Sequence, residues 1–87
     1  MTIVINEKIY NEKQSDARKR NMVLIAKRRG ASNWFGVEVD KIIDETEKAI
    51  RVSCPYYYDD GGYCVNLEVW HGYMIWLPKS SIKEVRR

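Results

Sequence analysis

Eighty-seven residues, 45% hydrophobic and 31% charged, make one folded domain, too apolar for disorder and too short for a second core. The formal net charge of +3 conceals a segregation. Residues 1–30 carry eight Lys/Arg against three acids, residues 31–78 three against eight, and residues 79–87 four against one, so basic ends flank an acidic middle. That asymmetry suits a polyanionic or acidic partner for the ends, or else solvated charge that keeps a small protein dispersed. No apolar run approaches the roughly 18–20 residues of a membrane span. MTIVINEKIY lacks a basic stretch followed by a long apolar core, so the expectation is a cytosolic protein of the host cell, without membrane contact.

Ile3 to Ile5 reads as a short strand. Ser15-Asp16 could cap a helix reaching towards Arg29 and closed by Gly30, with Lys27, Arg28 and Arg29 complementing its dipole. The unbroken run Met22-Val23-Leu24-Ile25-Ala26 leaves no helical stripe, so helix is expected for 15–21 and residues 22–29 stay open between helix and buried strand. Residues 1–33 thus read as a basic extension ahead of a β core spanning 34–87.

Within that core, Val37, Val39 and Ile43 share one parity, and Asp44-Glu45-Thr46-Glu47 forms a turn into Ile50, Val52 and Cys54. Tyr56-Tyr57-Tyr58 leads into Asp59-Asp60-Gly61-Gly62, a hairpin signal because Gly and Asp accept positive φ. The return strand alternates Tyr63, Val65, Leu67 and Val69. Centring the first turn on Glu45-Thr46 sets Val39 opposite Val52. Centring the second on Asp60-Gly61 sets Val52 opposite Val69 and Cys54 opposite Leu67. Both apolar sets then share one face of a three-stranded meander, and a one-residue slip would turn either outward.

The other face lines up Asp40, Arg51 and Trp70, with Glu38, Ser53 and Glu68 in the next row. The first row is either cross-strand pairing with a cation–π contact or part of a contact surface. After a turn at His71-Gly72, Tyr73–Leu77 is a fourth strand whose inward set is Tyr73 and Ile75 or Met74 and Trp76. Pro78 ends it, Lys79-Ser80-Ser81 makes a short helical turn, and a last strand passes through Ile82 and Val85.

The segments Glu45-Thr46-Glu47-Lys48-Ala49 and Trp76-Leu77-Pro78-Lys79-Ser80 resemble a paired pattern in small proteins of phages and other mobile elements. Trp76 to Ile82 is also similar to the last-strand region of SH3-like barrels, where a proline and a helical turn precede the closing strand. The resemblance covers roughly residues 36–85. It implies a small SH3-like barrel of mainly β class and, by analogy of class alone, an inhibitor of host defence such as an anti-CRISPR protein. It carries no catalytic motif.

Catalytic constellations are scarce. His71 is the single histidine, Ser80 and Ser81 have no base nearby in sequence, and neither a phosphate loop nor G-x-S-x-G occurs. Cys54, Cys64 and His71 fall short of four zinc ligands, and the meander puts the two cysteines on opposite faces, so free thiols and no cofactor are expected. Two basic triplets, Arg18-Lys19-Arg20 and Lys27-Arg28-Arg29, the second just ahead of Trp34-Phe35, suit nucleic acid, with cations on phosphate and rings on bases. Tyr57 is the tyrosine expected outward at the hairpin tip, where such side chains serve interfaces.

The candidate partner-binding residues are therefore Arg18, Lys19, Arg20, Lys27, Arg28, Arg29, Trp34, Arg51, Tyr57 and Trp70. The leading expectation is a non-enzymatic binder that blocks a host nucleic-acid-processing complex by occlusion. The alternative is a direct nucleic-acid binder. Exposed sheet edges are compatible with a dimer.

Overall fold

The computed structural model describes residues 1–59 and 68–87. Among the described residues the chain is mainly β, with one α-helix and antiparallel strands. The elements are β1 (Thr2–Asn6), α1 (Glu7–Arg18), β2 (Met22–Leu24), β3 (Ala26–Arg28), β4 (Trp34–Glu38), β5 (Lys41–Glu45), β6 (Ala49–Tyr58), β7 (Trp70–Pro78), a 3-10 turn (Lys79–Ser81) and β8 (Ile82–Arg86).

The described strands form two sheets. One has the order β3-β4-β1-β8; in the other β6 is central, with β2 and β5 along one edge and β7 along the opposite edge. Neither closes into a barrel among the described residues. The inward faces meet in one core, with Ile3, Ile5 and Val37 from the first sheet and Val52, Cys54, Ile75 and Leu77 from the second. Burial of these branched side chains is the main favourable term, about 1.5–3 kcal/mol for each fully buried one. No helix among the described residues is long and apolar enough to cross a membrane.

The N-terminal third is woven into this architecture. β1 lies between β4 and β8, with Ile3 and Ile5 fully buried. The helix begins at Glu7, eight residues before the expected Ser15-Asp16 cap, because Asn6 serves instead: its side chain accepts from the Ile9 amide at 2.9 Å. It stops at Arg18, and Asn21, at φ 58°, turns the chain out of it. The open stretch 22–29 resolves as two strands, β2 and β3, one in each sheet.

The meander registers are corrected. Val39 never faces Val52, since the chain leaves the first sheet at Val39, where the Met1 carbonyl accepts from the Val39 amide at 2.8 Å. It enters the second at Asp40, whose amide donates to the Ser53 carbonyl at 2.8 Å. Ile42 lies opposite Val52 instead, and a register shift between Ile42 and Asp44 leaves Ile43 42% exposed. The first turn moves towards the C-terminus: the Thr46 amide donates to the Ala49 carbonyl, and the Ala49 amide returns a bond to the Thr46 hydroxyl.

The second register is corrected too. β6 pairs with residues 70–78, so Val52 faces Ile75, Cys54 faces Tyr73 and Ile50 faces Leu77. The shift is by an even number of residues, so the inward parity of β6 survives and Cys54 is fully buried. No turn interrupts His71-Gly72; Gly72, at φ 94°, lies inside β7. Tyr73, Ile75 and Leu77 point inward, while Met74 and Trp76 point out. The strand end at Pro78, the 3-10 turn and β8 match the sequence reading. The expected Asp60-Gly61 turn, the strand through Tyr63, Val65 and Leu67, and Cys64 lie outside the described residues.

Candidate nucleic-acid interface

The outer face of the first sheet is a cationic trough. Strand register places Lys27 beside Gly36, Gly36 beside Val4, and Val4 beside Glu84, one row across all four strands. Val4 lines the groove, and Gly36 lies buried beside it. A Cβ on Gly36 would come within 3.0 Å of the Thr2 methyl and 3.5 Å of the Arg29 Cδ, so the missing side chain is what lets Thr2 and Arg29 close over this position. Val4 is 2% exposed yet stands apart from the central core, covered by the trough's own side chains.

The walls carry Lys27, Arg29, Trp34, Lys83 and Arg86, around a groove of about 610 Å3. Glu84 is the acid of the set. Arg86 Nε donates to its Oε1 at 2.8 Å. That bond, and then the charges of Arg86, Arg29 and Lys83, hold the Glu84 carboxyl below its ordinary pKa. Lys83 Nζ stands 5.3 Å from the centre of the half-buried Trp34 ring. Lys27, Arg29 and Lys83 have no carboxylate within ion-pair distance among the described residues.

The expected triplets are each divided by strand and helix geometry. Lys27 and Arg29 line the trough. Arg28 alternates to the other face, where its guanidinium lies 5.1 Å over Phe35 and 4.0 Å from Glu7. Phe35 stacks on Tyr10 from the helix, with ring centroids 4.0 Å apart, so Arg28 helps anchor α1 to the sheet. Arg18 lines a shallow depression with Asn21, Met22, Val23 and Asp59, whereas Lys19 and Arg20 reach the edge of β7.

The expected Asp40–Arg51–Trp70 row does not form. Arg51 faces Trp76 across the ladder, with its guanidinium 6.0 Å from that ring. The Asp40 carboxylate accepts from His71 Nδ1 at 2.9 Å. Trp70 packs edge-on to Tyr58 at 5.6 Å. The residues proposed as facing Glu38 and Glu68 are displaced likewise: Ser53 lies between Lys41 and Met74, and Glu38 accepts from the Thr2 hydroxyl at 2.6 Å. Tyr58 keeps the parity of the buried Tyr56 but sits at the end of β6, and at 46% exposure it is more open than the half-buried Tyr57.

Sequence reasoning missed Lys83 and Arg86. The basic composition of 83–87 was a usable signal, but nothing local in that segment points to residues 27–34 across the sheet. It left open which of two pairs faces out on β7, and the exposed pair is Met74 and Trp76. No family model, curated protein or solved structure matches the chain.

Proposed function

We propose that this chain is a non-catalytic binding protein whose trough takes the backbone of a single-stranded nucleic acid. One observation carries the reading: the two basic ends of the sequence meet across the sheet, Lys27 and Arg29 on one wall and Lys83 and Arg86 on the other, with Trp34 between. Phosphates would pair with the cations, and a base would stack on Trp34 by displacing Lys83 from the ring. Fluorescence anisotropy with a labelled oligothymidylate tests this. Lys27→Glu with Lys83→Glu should weaken binding at least about tenfold, whereas unchanged affinity would rule the trough out.

A second reading is an inhibitor of mobile-element type that occludes a host nucleic-acid-processing complex, as anti-CRISPR proteins do, in the cytosol. It is favoured by the exposed Trp70, Met74 and Trp76, unusual for a face that meets only water. The sequence likeness at residues 45–49 and 76–80 supports such an origin. An SH3-like kinship is supported by the succession of Pro78, the 3-10 turn and β8 closing against β1. A pull-down from host lysate separates the readings: nuclease treatment abolishes capture by the trough and spares capture of a protein complex.

A further inference from the structure

We infer that the outer edge of β7 is a strand-addition site for an acidic extended peptide, independent of the trough. Among the described residues β7 pairs with β6 alone, leaving its other edge with backbone donors and acceptors and no strand partner. Such an edge invites another strand. Beside it runs a groove of about 460 Å3 between the edge and the C-terminal half of α1.

The two faces of this groove differ, and the difference specifies the occupant. On the core side Lys13, Lys19 and Arg20 of the helical end stand beside Tyr73 and Ile75, with the Arg20 guanidinium 5.9 Å from the Tyr73 ring. On the outer side Met74, 51% exposed, and Trp76, 39% exposed, are flanked by Arg51. Four cations face one acid, Asp16, which lies 3.9 Å from Lys19. Side chains of an added strand alternate between these faces. Acidic residues on one parity would therefore meet the helical cations, while apolar residues on the other would cover Met74 and Trp76. A second copy of this chain is disfavoured, since antiparallel β7–β7 pairing would bring Lys19 and Arg20 of both copies together.

The test titrates the 15N-labelled full chain with an acetylated, amidated octapeptide of alternating Glu and Val, followed by amide and indole NMR shifts. Expected are saturable shifts at residues 73–77 and at the Trp76 indole, with the Lys27 and Gly36 amides unmoved. The same peptide N-methylated at alternate amides, on the parity that bonds the edge, should show no saturation. Lys19→Glu with Arg20→Glu, both exposed, should weaken the unmodified peptide about tenfold. No saturable shift, equal binding of the N-methylated peptide, or shifts centred on β5 or β8 would each overturn the inference. So would displacement of the peptide by oligothymidylate, which would make the edge a nucleic-acid site, or concentration-dependent shifts of the same edge without peptide, which would give it to a second copy.

Discussion

Single side chains decide several properties of this protein. Cys54 is fully buried on β6, and burial, followed by the nearby Asp40 charge, pushes its thiol up to about 12 from an ordinary 9.0. The thiolate is the reactive form, so Cys54 should resist iodoacetamide at pH 8 in the native protein and react once unfolded, as peptide mass mapping would show. A raised folded pKa also means that the protein binds this proton more tightly folded than unfolded. The stability contributed by the neutral thiol is complete below pH 9 and declines as pH rises from 9 towards 12. Denaturation by urea along that range should show wild-type stability falling faster than that of Cys54→Ala. Gly36 acts by absence. Gly36→Ala would press on the Thr2 methyl, costing about 1 kcal/mol in urea unfolding.

At the scale of elements, two side chains hold the helix in place. Asn6 caps it, and Asn6→Ala should lower stability by about 1 kcal/mol, read as a lower thermal midpoint. Gln14, 8% exposed, uses its amide like a strand partner. Its Oε1 accepts from the Leu24 amide at 2.8 Å and its Nε2 donates to the Leu24 carbonyl at 3.2 Å. Gln14→Leu would leave both backbone groups unpaired and should cost about 2 kcal/mol in urea unfolding, more than the cap.

These elements also show what was legible in the sequence. Parity was: Ile50, Val52 and Cys54 face inward because alternation is intrinsic to a strand and survives any even register shift. Partner choice was not. The tail from Trp76 to Val85 was read correctly since proline and the helical turn are local signals. The helix start was missed because Asn6 was passed over for the more conspicuous Ser15-Asp16. Of the candidate site, Lys27, Arg29 and Trp34 were found by composition. Lys83 and Arg86 join them only through the β3-β4-β1-β8 order, which local patterning does not encode.

For the molecule as a whole, charge segregation along the chain becomes charge concentration in space. β1 lies between β4 and β8, and so brings the two basic ends onto one face. The aromatic face at β7 lies on the other sheet, leaving room for two kinds of partner. The most direct measurement is the salt dependence of oligothymidylate affinity for wild type, Lys27→Glu and Lys83→Glu. Three cations without carboxylate partners should give a log–log slope of roughly −2, and each substitution should flatten it by about 0.7, whichever end of the chain it comes from. A slope near zero, or one that responds to only one end, would contradict a trough built jointly from both.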